Sequence, residues 1–236
     1  MHKFPSDWEG LSASDFLSRW YLEHYSSNAY SGTQGLIQSL MHKSIERGRN
    51  QHFDEVLELG ADVGQHMKFV KHTFKRYYAT DFRASSDQIH FSQFGQGVVF
   101  RLEDAQNLSF QSEQFDRVLC ACVLHHLPDP EMALLEIRRV LKPGGTADLF
   151  VSADPGAMFR LARRLGPLRA ARKAGLADVK RLVDARDHRG HVLGILRLAR
   201  FVFRNDQIRV RSYPFPGLKW NFSLWFVIRV CKSLER

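Results

Sequence analysis

The chain has 236 residues, of which 44% are hydrophobic, and a formal net charge of +9 at pH 7. This length and composition can bury a full core, and we predict one domain over residues 1–236. No apolar run reaches the roughly eighteen uncharged residues of a membrane span, and the first ten residues lack the apolar core of a signal peptide. The sequence therefore predicts a cytoplasmic protein.

The three cysteines indicate neither a disulfide framework nor a zinc site. Cys120 and Cys122 alternate along one predicted strand, and Cys231 is remote from both in sequence. We expect buried, reduced thiols. Since no other cluster of metal ligands is evident, we also predict that the protein holds no metal.

The positive charge is concentrated in one segment. Residues 156–211 contain fifteen basic residues against four acidic ones, so this segment carries more positive charge than the chain as a whole. Arginine outnumbers lysine there, and arginine binds phosphate or carboxylate groups through paired hydrogen bonds. We expect a local anionic partner, either an acceptor group or the inner face of a membrane, with a solvated basic surface as the alternative.

Two helices are predicted before residue 50. Ser14 can cap a helix over residues 15–25, and Thr33 can cap another over residues 34–48. The second helix carries apolar residues at helical spacing: Leu36, Ile37, Leu40, Met41 and Ile45. The connection between the helices is either an ordinary surface loop or a lid over a bound ligand.

Residues 56–66, VLELGADVGQH, predict a strand and a tight turn that contains Gly60 and Gly64. A helix is expected next, over residues 66–74. Such a unit places backbone N–H groups and a helix N-terminus at the carboxyl end of a strand, where α/β sheets hold nucleotide-like ligands. The second predicted strand ends in Asp81, whose carboxylate can accept hydrogen bonds from both hydroxyls of a ribose.

The pattern of alternating strands and helices continues to residue 154. A third strand presents Asp104 and Ala105 at its end, and a fourth, over residues 115–127, is almost continuously apolar. A helix over residues 128–145 and a fifth strand over 146–154 follow. This alternation predicts a mostly parallel sheet with helices on both faces.

The remaining chain predicts basic helices over residues 155–206 and an antiparallel hairpin over residues 207–236. The expected fold is therefore α/β and Rossmann-like: a doubly wound, mostly parallel seven-stranded sheet with an antiparallel C-terminal hairpin. Residues 1–50 would form a helical cap, residues 53–154 the nucleotide-binding core, and the basic helices an insertion that covers a substrate.

Four segments between Val56 and Asp154 occur in a characteristic order: ELGADVG, the strand end at Asp81, EDAQNLSF and FDRVLCACVLHHLPDPEMALLEIRRVLKPGG. In these segments the chain resembles the class I S-adenosylmethionine-dependent methyltransferases, particularly the type 11-like group related to small-molecule and quinone methyltransferases. The resemblance implies S-adenosylmethionine as the cofactor and methyl transfer as the reaction.

The resemblance also implies which residues contact the cofactor: Glu58, Gly60 and Gly64 at its methionine part, Asp81 at its ribose, Asp104 and Ala105 at its adenine, with Ala61, Asp62, His66, Phe82 and Cys122 beside them. The family motif has glycine where this chain has Asp62. Aspartate tolerates left-handed backbone angles better than most residues, and its carboxylate could accept a hydrogen bond from the cofactor's ammonium group. A carboxylate would also repel the pyrophosphate of a dinucleotide.

Histidines supply the candidates for catalysis. Methyl transfer is an in-line attack in which the protein mainly positions the reactants, and a hydroxyl acceptor benefits from a general base. His126, just past the fourth strand, is the preferred base, with His125 beside it and His188 as a further candidate. The alternative is that these rings only hold the loop in place.

Residues outside the core are expected to hold the acceptor: Tyr25, Tyr30, Arg186, Arg189 and His191. The basic insertion resembles those of methyltransferases of bacterial cell-surface glycan or lipid synthesis, which favours O-methylation of a small-molecule, glycan or lipid-linked acceptor. An RNA methyltransferase is one alternative, although the sequence contains no added RNA-binding module. A non-catalytic binding protein of the same fold is the other.

Overall fold

The computed structural model describes residues 5–20, 23, 32–83, 91 and 93–234. Its strands are β1 (His52–Leu59), β2 (Thr73–Asp81), β3 (Val98–Leu102), β4 (Phe115–Cys120), β5 (Leu141–Ser152), β6 (Gln207–Tyr213) and β7 (Trp225–Cys231). Its α-helices are α1 (Ala13–Trp20), α2 (Gly32–Ile45), α3 (Pro130–Val140), α4 (Ala157–Leu165), α5 (Pro167–Lys173), α6 (Ala177–Asp187) and α7 (Val192–Val202). Short 3-10 helices cover Ser6–Trp8, Gln65–Phe69 and Trp220–Phe222.

The strands form one seven-stranded sheet in the order β3-β2-β1-β4-β5-β7-β6. The pairs from β3 to β5 are parallel, whereas β7 runs antiparallel to both β5 and β6. This order confirms the predicted Rossmann-like sheet and its C-terminal hairpin. The strand order reverses between β1 and β4, and a crevice at the carboxyl ends of the strands is expected at such a point.

Helices cover both faces of the sheet. On one face, α3 and α7 bury apolar side chains against alternate residues of the central strands, including Leu57 and Val118. On the other face, Met41 and Ile45 of α2 pack with Val56 and Leu119. The central strands are therefore apolar on both sides, which explains their nearly continuous hydrophobic runs.

The segment after β1 differs from the prediction. A helix over residues 66–74 was expected, but the structure has only the 3-10 turn Gln65–Phe69. Gly64 precedes this turn with a left-handed φ of 76°, and β2 already begins at Thr73. Because so few residues separate the turn from β2, the chain has no room for a longer helix.

The fourth strand is also shorter than predicted. It ends at Cys120 rather than near residue 127, because Cys122 adopts a positive φ of 61° and turns the chain out of the sheet. The following helix α3 begins at Pro130, two residues after the predicted start, and ends at Val140 rather than at residue 145, because β5 already begins at Leu141. Asp129 caps it by accepting hydrogen bonds from the amides of Glu131 and Met132 at 3.0 and 3.1 Å.

The N-terminal caps differ in detail from the prediction. Ser12 rather than Ser14 caps α1, since its Oγ accepts a hydrogen bond from the Asp15 amide at 3.1 Å. Thr33 lies inside α2, which begins at Gly32, rather than before its first residue. Of the apolar residues of α2, Met41 and Ile45 are buried, but three others are exposed: Leu36, Ile37 and Leu40.

The N-terminal segment packs on the basic insertion. Trp8, Phe16 and Trp20 form a separate apolar cluster with Val179 and Val183 of α6. Helix α7, by contrast, belongs to the layer of helices that covers the sheet. The insertion proper thus comprises α4 to α6, which is shorter than the predicted range of 155–206. Within the described part of the chain, no helix is both long and apolar enough to cross a membrane.

A buried ionic network ties α2 to the sheet. Glu46, just past the end of α2, binds Arg117 of β4 through two hydrogen bonds of 2.7 and 3.2 Å. Arg117 also donates to Asp148 of β5 at 3.1 Å, and all three side chains are fully buried. Arg49 adds two bonds of 2.9 Å to Asp148.

The same network reaches the turn after β1. His66 and His72 contact the Glu46 carboxylate at 3.0 and 3.3 Å. Burial alone would raise the pKa of Glu46, but the hydrogen bonds from both histidines and the charge of Arg117 hold this pKa far below its usual value. Glu46 is therefore ionised, and these partners compensate its charge.

We predict that Glu46→Gln lowers the free energy of unfolding by about 3–5 kcal/mol, because it removes one of the two carboxylates that compensate the charge of the buried Arg117. Urea unfolding measures this change. Asp178→Asn is the matched control, since Asp178 forms an exposed ion pair with Arg181 on α6 and should change stability by less than about 1 kcal/mol. Equal losses for the two variants would contradict the role of the network.

Candidate cofactor and active site

The loop after β1 is fixed to the end of β2. The amides of Gly60 and Ala61 both donate to the Thr80 carbonyl at 2.9 Å. Gly60 has a φ of 76°, and a Cβ at this position would overlap with the side chain of Val123 from the loop after β4. Glycine is therefore required here both for the backbone angle and for the close approach of the two loops.

Asp62 occupies the left-handed conformation expected of the glycine that it replaces. Its φ is 47°, which agrees with the prediction that aspartate would preserve the turn. Its amide donates to Oδ2 of Asp81 at 3.0 Å, and the amide of Arg83 donates to Oδ1 at 3.1 Å. Each carboxylate oxygen can accept two hydrogen bonds, so Asp81 fixes the loop and retains acceptors for a diol.

The ends of β2 and β3 present a second carboxylate and an exposed ring. Asp104 lies just past β3, where its Oδ1 accepts a hydrogen bond from the Gln106 amide at 2.9 Å. Ala105 beside it is buried, whereas Phe82 is 73% exposed. Two carboxylates with unused acceptor positions and an exposed aromatic ring fit the ribose and base of a nucleoside, and therefore fit S-adenosylmethionine.

Two of the predicted cofactor residues face the interior instead. Glu58 accepts a hydrogen bond from the Tyr77 hydroxyl at 2.7 Å, and complete burial raises its pKa. His66 is also buried, and its two ring nitrogens contact His42 and Glu46, each at 3.0 Å. Because both ring nitrogens are bonded to buried side chains, His66 holds the turn against α2 and has no nitrogen left for the cofactor.

Cys122 links the loop after β4 to helix α2. Its Sγ lies 3.4 Å from Sδ of Met41, and burial raises the pKa of its thiol to about 12. The thiol is therefore protonated and unreactive at neutral pH. The three cysteines are free, as predicted, but only Cys120 is fully buried, and Cys122 lies beyond the strand in which the sequence placed it.

The structure brings the three predicted catalytic histidines together. The ring centroid of His125 lies 4.0 Å from that of His126 and 4.8 Å from that of His188. His126 and His188 are 5.1 Å apart by the same measure. His188 follows α6, so the insertion contributes one ring to a cluster that begins at the carboxyl end of β4.

Each of the two outer rings is held by a carboxylate. Nδ1 of His126 lies 3.0 Å from Oδ2 of Asp187, and Nδ1 of His188 lies 3.0 Å from Oδ2 of Asp154. Burial would raise the pKa of Asp154, but the hydrogen bond with His188 and the charge of Arg163 hold it below its usual value. These carboxylates fix the orientation of both rings.

The central ring, His125, is buried and neutral. Burial, together with the charges of His126 and His188, holds its pKa well below the usual value for histidine. Its backbone carbonyl accepts hydrogen bonds from the amides of Arg189 and Gly190, each at 2.9 Å. The insertion is thus fastened directly to the loop after β4.

The predicted substrate residues are dispersed. His191 caps α7 by accepting a hydrogen bond from the Leu193 amide, and Arg186 stacks over Phe16 of α1 at 4.8 Å. Arg189 is exposed, and its Nε donates to the Arg186 carbonyl. Tyr25 and Tyr30 lie outside the described residues. His191 and Arg186 therefore have structural partners, whereas Arg189 remains available to solvent.

Sequence reasoning did not identify the two carboxylates that hold the histidines. Asp187 is adjacent to His188 in the sequence but pairs with His126, which lies 61 residues earlier. Asp154 lies 34 residues before its partner His188. No local spacing links these residues, so the pairing follows only from the docking of the insertion on the sheet.

We predict that Asp62→Asn weakens S-adenosylmethionine binding by about tenfold, because it removes a charged acceptor for the ammonium group. Calorimetric titration measures this change. Asp62→Gly should fold as well as the parent chain, while Asp62→Ala should lose about 1–2 kcal/mol of unfolding free energy through its left-handed backbone. Unchanged affinity in both Asp62→Asn and Asp62→Gly would exclude a contact between this carboxylate and the cofactor.

Comparison with known proteins agrees with this geometry. Residues 57–147 match a family described as a methyltransferase domain. A fatty-acid O-methyltransferase of Mycolicibacterium smegmatis is 32% identical over 148 residues, which cover 61% of this chain and 47% of that protein. A highly reducing polyketide synthase of Phaeosphaeria nodorum is 29% identical over 160 residues, covering 61% of this chain and 5% of the synthase. The chain thus spans half or less of the length of these relatives.

The fold is similar to that of solved methyltransferases. A possible histamine N-methyltransferase from Thermotoga maritima superimposes with a TM-score of 0.54 at 18% identity, over 93% of this chain and 96% of that one. At this identity, the likeness concerns the fold alone. Residues 57–147 are therefore similar in sequence to methyltransferase domains, and the strand order agrees with the fold of a solved S-adenosylmethionine-dependent methyltransferase.

Proposed function

We propose that this protein transfers the methyl group of S-adenosylmethionine to an oxygen atom of an acceptor that carries a long apolar chain. The observation that carries the proposal is the His126–Asp187 pair, which lies just past the carboxyl end of β4. When bound, the cofactor supplies a methyl group that its sulfonium makes electrophilic. The side chains described here would bind the cofactor, orient the acceptor and move a proton.

His126 has the arrangement of a general base. Its Nδ1 is bonded to Asp187, so Nε2 is the nitrogen that remains for an acceptor proton. The carboxylate fixes the tautomer and stabilises the ring once it is protonated. The side chain is 26% exposed, so an acceptor can reach it from solvent.

Helix α4 supports an acceptor with an apolar chain. No residue of this helix is fully buried, and it exposes Met158, Leu161 and Leu165, spaced as i, i+3 and i+7. Arg160 and Arg164 are exposed beside this apolar row. The similarity to a fatty-acid O-methyltransferase supports the same class of acceptor.

We further propose that this face of α4 contacts an anionic lipid bilayer. An amphipathic helix with an apolar row and flanking arginines lies in the membrane interface, where the apolar side chains enter the acyl boundary and the guanidinium groups meet lipid phosphates. Phe222, from the 3-10 helix Trp220–Phe222, is also exposed and would extend the apolar area. A bilayer at this position would deliver a lipid acceptor to the insertion that covers the site.

The enzymatic proposal is tested by incubating the protein with radiolabelled S-adenosylmethionine and a bacterial extract separated into lipid, glycan, RNA and small-molecule fractions. We expect label in the lipid fraction. His126→Ala should lower kcat by about 10²–10⁴-fold with unchanged cofactor affinity, and Asp187→Asn should lower it less. His52→Ala, at an exposed position on β1, is the control. Label confined to RNA, or wild-type turnover by His126→Ala, would refute the proposal.

The membrane contact is tested by flotation with phosphatidylcholine vesicles that contain or lack phosphatidylglycerol. We expect binding only to the anionic vesicles, and Leu161→Gln combined with Leu165→Gln should abolish it, since it removes two of three apolar anchors. Leu135→Gln is the control, because this exposed leucine lies on α3. Flotation that is unaffected by the α4 substitutions would exclude this helix as the contact.

A further inference from the structure

The histidine cluster has the composition of a metal site. Among the described residues, His125, His126 and His188 each offer a ring nitrogen, and these three nitrogens lie within 4.8 Å of one another. Three neutral imidazoles with an open fourth position form one of the standard ligand sets of catalytic zinc. The sequence predicted these three histidines as catalytic candidates but not as metal ligands, since His188 is more than sixty residues from the other two.

The carboxylates around the cluster follow the pattern seen around metal-bound histidines. Nδ1 of His126 and Nδ1 of His188 each pair with an aspartate at 3.0 Å, which directs Nε2 of both rings away from their carboxylates. In metalloproteins a ligating histidine commonly binds a carboxylate through its other nitrogen, which fixes the ring and makes the ligand more basic. Asp187 and Asp154 occupy that position here.

The third ring provides an independent observation. Nδ1 of His125 is buried and has no hydrogen-bond partner among the described residues. Buried polar atoms in proteins almost always have a partner, so an unpartnered nitrogen inside a cluster of imidazoles requires an explanation. A bound cation would use such a lone pair.

We propose that His125, His126 and His188 bind a divalent transition-metal ion of the zinc class, with Asp187 and Asp154 orienting two of the rings. Zinc–nitrogen bonds of about 2.0–2.1 Å in tetrahedral geometry place ligand nitrogens about 3.4 Å apart, so the widest pair, now within 4.8 Å, must close by up to about 1.4 Å around the ion. His126 and His188 are partly exposed, at 26% and 19%, which gives the ion access from solvent. The two aspartates offset the charges of the ion and of nearby Arg163.

Metal binding would change the role of His126. Nε2 cannot both bind the ion and accept a proton, so a saturating metal should inhibit methyl transfer that uses His126 as the base. This consequence rests on the proposed function, whereas metal binding itself does not. Metal binding and its effect on methyl transfer are separated by measuring the binding of the ion directly and the methyl-transfer activity afterwards.

The test uses the full chain after chelator treatment and titrates it with Co²⁺, whose visible absorption reports tetrahedral coordination. We expect one ion per chain, displaced by Zn²⁺. His188→Ala and His126→Ala should abolish the signal, and Asp154→Asn should weaken binding by about 10–100-fold. His52→Ala is the control, since this exposed histidine lies on β1, and circular dichroism checks the fold of each variant.

Retention of stoichiometric Co²⁺ binding by His188→Ala, or the absence of a Co²⁺ spectrum in the folded parent chain, would overturn the proposal. A normal spectrum in the parent chain together with loss of binding in His188→Ala and normal binding in His52→Ala would support it. If the metal binds as expected but does not inhibit methyl transfer, the metal site stands and the assignment of His126 as the base fails.

Discussion

The fold depends on one buried guanidinium. Arg117 has no exposed surface and lies between the carboxylates of Glu46 and Asp148, so the loss of either pair would leave a buried charge uncompensated. Each group belongs to a different element: the end of α2, β4 and β5. This pairing fixes α2 against the face of the sheet that lies beneath the loop after β1. Apolar contacts alone would not specify that position.

This ionic network explains how the short 3-10 turn after β1 can take the place of the predicted helix and still support the loop at the carboxyl end of the strand. His66 within the turn and His72 after it both bind the Glu46 carboxylate, so this buried charge fixes the turn against the end of α2. Above it, the loop amides bond to Thr80 and Asp81. The loop is therefore rigid before a ligand arrives, which lowers the ordering cost of binding.

The sheet was predictable because its signals are local. Gly60 in the turn, Asp81 at the end of β2 and Asp104 just past β3 lie at the ends of apolar runs. The spacing of apolar residues and the positions of glycine and proline therefore suffice to place them. The short 3-10 turn and the buried roles of Glu58 and His66 were not predictable, since both depend on contacts with α2 and on the partner Tyr77. The carboxylates that hold the histidine rings escaped prediction for the same reason, because they meet their partners only when the insertion docks.

In the proposed function, the cofactor binds along the edge formed by β1, β2 and β3, and His126, past β4, takes the proton of the acceptor. The most direct test is calorimetric titration with S-adenosylmethionine of the parent chain and of Asp81→Asn. The account predicts one site per chain and affinity that falls by about tenfold or more in the variant, because a charged acceptor for the ribose is lost. The absence of binding at millimolar cofactor, or equal affinity of the two proteins, would contradict it.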